Sequence, residues 1–292
     1  MPQFHPVAIG ILCGIGASLF WAAGFVGARH GLDAGFTPAD LTVHRYAWAG
    51  LVLLPMVLRD GFGDLNGIGW SRGIVLTLLG GPGFALLSYT GLLLVPLGHG
   101  GVIQPSCATL GGILLAVLLL HERLGATRAA GAAIIVGGLT VIGGEAVATI
   151  GTQGILGDLM FVLAGLMFAL FGTLLRHWRI PATTAAAVIS VLTLAGIPVH
   201  WALAGFGRMV ALGWSENILQ AIVQGILAGP GALYLFIRSI TLLGAARASV
   251  FPALVPPFVL LIGWLGLGEP PTALQLAGLV IVLIGFRLAQ RN

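Results

Sequence analysis

The 292-residue chain is 58% apolar and 8% charged, with a mean hydropathy of +1.06. A soluble domain carries about 25% charge, so this composition excludes one and points to a polytopic α-helical membrane protein. The net charge of +4 comes from thirteen arginines scattered among segment ends, with no lysine, and marks topology rather than nucleic-acid binding.

Ten apolar spans follow in chain order, over residues 7–28, 38–58, 73–94, 98–120, 129–144, 154–175, 183–204, 217–242, 246–267 and 273–289. Most run to about 20 residues, enough to cross about 30 Å of hydrocarbon. They are continuous rather than alternating, which argues against a β-barrel. The longest polar piece, Arg59 to Arg72, is only a loop, so no soluble domain fits between spans.

Span 1 carries Trp21 at mid-depth, and span 2 carries the basic pair His44-Arg45. Span 3 is interrupted by Gly81-Pro82-Gly83 and continues through Phe84, Ser88 and Tyr89. Proline inside a helix removes one hydrogen bond and clashes with the preceding turn, and the flanking glycines lower the cost of a kink. Span 4 holds Gln104-Pro105 and ends at Glu122; span 6 holds Phe168 and Phe171. Span 8 repeats the break as Gly229-Pro230-Gly231, followed by Tyr234. Span 9 holds Ser249, Pro252 and Pro256-Pro257 and ends at Glu269. Cys13 and Cys107 lie inside apolar runs and read as small buried hydrophobes.

These elements occur twice. The Gly-Pro-Gly break returns after 148 positions, and Pro105, Glu122, Gly131 and Gly138 return after 147 as Pro252, Glu269, Gly278 and Gly285. Gly10, Trp21 and Arg29 map in the same register onto Gly157, Phe168 and Arg176. Residues 1–146 and 147–292 are therefore read as two copies of one unit. Each copy has five spans, an odd number, so the second enters the membrane from the opposite side. Inverted repeats of this kind recur in secondary transporters. With both termini cytoplasmic, ten arginines fall inside and three (Arg29, Arg45 and Arg208) outside, a positive-inside bias.

Several residues resemble a known family. Ser18-Leu19-Phe20-Trp21 followed by Phe25-Val26 and Arg29, Pro38 with Arg45, and the paired helix-end Glu122 and Glu269 resemble the drug/metabolite transporter superfamily, EamA type. The likeness covers both halves and is greatest to the YddG-type amino-acid exporters. It implies an all-α membrane fold of ten helices in two inverted five-helix repeats. It also implies a central cavity lined mainly by spans 1, 3, 4, 6, 8 and 9, and export of amino acids or related metabolites across a bacterial inner membrane. A multidrug or other metabolite exporter is the alternative within the superfamily.

The expected substrate contacts are Trp21, Phe84, Ser88, Tyr89, Gln104, Phe168, Phe171, Tyr234 and Ser249. Aromatic walls suit apolar side chains and hold an ammonium by cation–π attraction. Trp21 fits core packing nearly as well. The expected gates are the breaks at Gly81, Pro82 and Gly83 and at Gly229, Pro230 and Gly231, with Pro105, Pro252 and Pro256 bending the neighbouring helices. A packing kink remote from substrate is the competing role. The nine acidic residues all lie in loops or near segment ends, so no mid-span carboxylate is available to alternate between proton and cationic drug. Glu122 and Glu269 are expected to stabilise turns, with Arg123 or Arg128 as partners. Arg45 is expected to snorkel or anchor a loop. His44 is the one natural candidate for proton coupling, and a structural role fits it at least as well.

Enzyme motifs are missing from the sequence: there is no G-x-S-x-G, no H-E-x-x-H and no phosphate-binding loop. A scaffold or an intramembrane enzyme is the reading from another class. No cofactor or metal is expected. The partners expected are a small-molecule substrate and the lipid bilayer, not nucleic acid, with the chain a monomer or homodimer.

Overall fold

A computed structural model describes residues 6–121, 125–148, 154–243, 248 and 251–289, and their regular structure is entirely helical. The first half contains α1 (Pro6–Ala34), α2 (Pro38–Asp60), α3 (Trp70–Gly80), α4 (Pro82–Leu94), α5 (Leu97–Leu120) and α6 (Ala126–Ala148). The second half opens with α7 (Gly154–Trp178), α8 (Ala182–Thr193), α9 (Gly196–Leu203), α10 (Gly207–Ala211) and α11 (Gly213–Gln220). A π-helical segment, π1 (Ala221–Gly231), leads into α12 (Ala232–Leu243). A 3₁₀ turn (Phe251–Leu254), α13 (Val255–Leu267) and α14 (Ala273–Ala289) complete it.

Seven helical stretches are long and apolar enough to cross a membrane: Pro6–Ala34, Pro38–Asp60, Trp70–Leu94, Leu97–Leu119, Gly154–Trp178, Ala182–Leu203 and Gly213–Leu243. Three shorter apolar helices, Ala129–Val141, Val255–Leu267 and Ala273–Leu288, bring the spans to the ten expected.

Span 3 is two helices because Pro82 cannot donate to the turn before it. Gly81 sits between them at φ −102°, ψ −137°. Its counterpart Gly229 lies at φ −91°, ψ −111° inside π1, directly before Pro230. The two breaks thus share one backbone conformation in matching positions. Span 7 is also interrupted, at Leu194-Ala195, which the sequence reading did not anticipate. Pro198 explains it: with no N–H, it cannot bond the carbonyl four residues back. Pro105 does not break its helix; α5 runs through it, and the Thr109 hydroxyl donates to the Pro105 carbonyl at 3.0 Å. Pro252 lies in the 3₁₀ turn, and Pro256 is in the first turn of α13, where a missing N–H costs nothing.

The halves pack by reciprocal contacts. Helix α1 lies along α12, as α7 lies along α4. A Cβ on Gly10 would stand 2.7 Å from Leu243, and one on Gly157 2.9 Å from Val95, the same approach repeated in register. The longest cross-half contact is α6 against α14. There a Cβ on Gly138 would meet the Gly278 carbonyl at 2.9 Å, and a Cβ on Gly285 would meet the Gly131 carbonyl at 2.9 Å. Small residues let two membrane helices touch backbone to backbone. These glycines therefore join the halves of one chain.

Candidate functional site

Each break is covered by a side chain from another helix. At the first, the buried Tyr46 hydroxyl of α2 points at two carbonyls, Gly80 O at 2.8 Å and Gly81 O at 2.9 Å. It thereby satisfies backbone acceptors that the interrupted helix leaves over. The Phe171 ring lies over Gly80, and Met167 reaches Gly83. At the second, Phe20 covers Gly231 as Met167 covers Gly83, again in repeat register. Both breaks therefore sit between the halves, each under residues of the opposite half's first helix.

The expected aromatic contacts separate into two groups. Phe84, Phe168 and Phe171 form one row, with ring centroids 5.6 Å apart at both steps. Trp21 is in a different place, partly buried and 5.3 Å from the Phe236 ring. Tyr234 joins neither group and is 68% exposed, while Phe168 within the row is itself 47% exposed. The Ser88 hydroxyl donates back to Phe84 O at 2.8 Å and serves its own helix. Gln104 is buried, and its Oε1 has no protein donor among the described residues. Glu122 and Ser249, assigned to turn stabilisation and to substrate contact, lie outside the described residues.

Tyr89 belongs to a polar chain that crosses the bundle. Arg45 Nη1 on α2 lies 3.5 Å from the Tyr89 oxygen on α4. The Tyr89 hydroxyl donates to Gln224 Oε1 at 2.9 Å, and Gln224 Nε2 donates to Gly24 O on α1 at 2.8 Å. One turn away, Gln220 donates to Gly27 O at 2.9 Å. These two glutamines escaped the sequence reading, although two amides four residues apart in an apolar span were a visible signal. The Arg45 guanidinium lies 5.9 Å from the Tyr46 ring centroid.

His44 is held at both ring nitrogens. Trp48 Nε1 donates to Nδ1 at 3.1 Å, which leaves Nε2 to donate to Asn217 Oδ1 at 3.2 Å. That tautomer is neutral, and a proton on Nδ1 would break the bond from Trp48. The arrangement accounts for His44 as a positioning residue between α2 and α11.

One end of the bundle is laced by ionisable pairs. Arg29 on α1 meets Glu269, just past α13, at 2.8 Å and donates to Leu92 O on α4 at 2.7 Å. Glu269 also takes the Leu97 N–H of α5 at 3.4 Å. The partner of Glu269 is therefore Arg29, 240 positions away, and not an arginine near the equivalent glutamate. His30 and Glu216 stand 3.0 Å apart, and His99 and Asp158 2.9 Å apart. His200 Nε2 comes within 3.1 Å of Asp40 without hydrogen-bonding geometry. All four pairs tie different helices at this end. A depression of about 570 Å³ opens beside Arg29 and Glu269, bordered by Leu94, Gly98, Leu260 and Gln275. None of the expected substrate contacts lines it.

The other end is held differently, with Arg72 over the Trp178 ring at 5.4 Å and the Trp70 indole donating to Gly63 O at 2.8 Å. No group of three or more metal-ligating side chains occurs among the described residues.

Ten apolar helices in two reciprocally packed halves, each with a broken helix at the shared interface, define a multi-pass membrane transporter. The chain belongs to the EamA-like transporter family, whose model matches residues 8–144 and again 155–289. It is 27% identical over 275 residues to the "Uncharacterized transporter YdfC" of Bacillus subtilis (strain 168), covering 91% of this chain and 85% of that one. A solved crystal structure, described only as that of a protein, superposes with a TM-score of 0.62 at 20% identity. It covers 97% of this chain and 96% of its own, and it speaks for the fold alone.

Proposed function

We propose that this transporter exports amino acids with aromatic or apolar side chains, and related small metabolites, by alternating access between its two halves. The observation that carries the reading is the pair of helix breaks at Gly81 and Gly229, alike in conformation and set in oppositely inserted repeats. Two such units supply two near-equivalent arrangements around one central route. The aromatic row of Phe84, Phe168 and Phe171 supports an apolar substrate side chain. The buried Gln104 oxygen is an acceptor available to a substrate ammonium.

In this reading residues 1–146 and 147–292 are the two repeats, both termini face the cytoplasm of a bacterium, and the laced Arg29 end faces outward. The chain works in the inner membrane without a cofactor. Gly81 to Gly83, Gly229 to Gly231, Pro252 and Pro256 are the places where the backbone yields. Counterflow of radiolabelled amino acids into proteoliposomes tests it. Uptake above protein-free liposomes for at least one apolar amino acid is the expected result. No uptake for any amino acid, with the protein shown to be folded, sinks the reading.

A further inference from the structure

We propose that Arg45 is the docking cation for a carboxylate on the transported substrate. The proposal rests on the export reading above and adds to it the chemical group that is recognised.

Arg45 lies seven residues inside α2, about 10 Å along the helix from its start. A charge at such depth is costly, and membrane proteins pair it or use it. The other arginines of the laced end and of the loops show what pairing looks like. Arg29 has Glu269 at 2.8 Å and Asp33 at 3.3 Å, and Arg59 has Asp60 at 2.7 Å. Arg45 has no carboxylate partner among the described residues. Among the described residues its polar neighbours are the Tyr89 oxygen at 3.5 Å and Tyr46, two neutral phenols for a group with five N–H donors.

Its surroundings supply polarity without charge. The Tyr89 proton is committed to Gln224, and the Gln224 amide to Gly24 O, so the chain from Arg45 ends on a neutral carbonyl. Four helical segments meet there: α2, α4, π1 and α1. Tyr89 is eight residues from the break at Gly81, and Gln224 is five from the break at Gly229. A group bound at Arg45 would therefore sit between the two segments that yield. The fold itself does not require the cation, because the position matching Arg45 in the second repeat is Leu192. A scaffold of two near-equal halves that carries a guanidinium in only one has placed it for something else.

A guanidinium with donors to spare fits a planar anion bidentately, and a carboxylate is the small anion that does so best among metabolites with an apolar body. The same fixed cation repels lipophilic cations, which sets this site against a cationic-drug exporter.

The test crosses the ligand's carboxylate with the arginine. Inhibition of counterflow is measured for L-phenylalanine, L-phenylalaninamide and 3-phenylpropionate, on the wild-type protein and on Arg45→Gln and Arg45→Lys, each checked for folding by its melting profile in detergent. In the wild type, the two carboxylates should bind about tenfold or more tighter than the amide. In Arg45→Gln that preference should fall to near unity, with Arg45→Lys between. A wild-type protein that binds the amide as tightly as the acid overturns the proposal. So does an Arg45→Gln protein that folds and keeps the preference. Binding of 3-phenylpropionate but of no amino acid, with the preference lost in Arg45→Gln, supports Arg45 and overturns the amino-acid reading. Binding of none of the three probes overturns the proposal, and the amino-acid reading with it only where no other amino acid shows counterflow. If Arg45→Gln does not fold, Tyr89→Phe and Arg45→Lys carry the comparison, with unchanged preference in both counting against the proposal.

Discussion

Alanine at the first break should destabilise the protein. A Cβ on Gly81 would stand against the Thr77 carbonyl oxygen, well inside the 3.0 Å that real Cβ contacts respect, and a backbone oxygen cannot swing aside. Relieving that clash means moving α3 against α4, at the cost of an overpacked core, about 1–3 kcal/mol. Gly81→Ala should therefore be less stable than the wild type by about that amount. Gly229 shares the backbone conformation of Gly81, so Gly229→Ala should lose stability in the same direction. Unfolding of both variants in mixed detergent micelles measures the losses. A Gly81→Ala protein as stable as the wild type would refute the reasoning.

Three more predictions follow from the same contacts. Tyr46→Phe removes the donor shared by Gly80 O and Gly81 O, and should cost about 1–2 kcal/mol in the same assay; an unchanged stability would mean these carbonyls do not need it. Gly138→Ala and Gly285→Ala each force α6 from α14, by about 1–3 kcal/mol singly, and the double variant should cost less than their sum because one separation makes room for both. Additive costs would show the two contacts to be independent. Trp21→Ala should lower counterflow while the melting profile stays near wild type, and unchanged flux would leave Trp21 as packing against Phe236.

Much of the fold was legible because its evidence is local or periodic. The Gly-Pro-Gly strings mark both breaks, and their common register reveals the duplication before any coordinate is known. Span length gave the spans themselves, with Pro198 the one interruption that a closer reading of span 7 would have found. The polar site was harder. Arg29 and Glu269 are 240 residues apart, and Arg45, Tyr89, Gln224 and Gly24 come from four segments. No spacing rule joins them, so their pairing is not visible in the sequence. The repeat itself misled there, because the halves are alike in backbone and unlike in the polar chain between them. Gln220 and Gln224 are legible in the sequence as two amides four residues apart in an apolar span.

If the two halves alternate access as proposed, the outward-facing Arg29 end opens and closes in every transport cycle. Cysteines at positions 29 and 269, with Cys13 and Cys107 replaced, allow that end to be bridged by a reducible bifunctional thiol reagent. Counterflow is then measured in one proteoliposome preparation before bridging, after it and after reduction. The account predicts that flux is lost on bridging and returns on reduction. Undiminished flux through a fully bridged protein would contradict it.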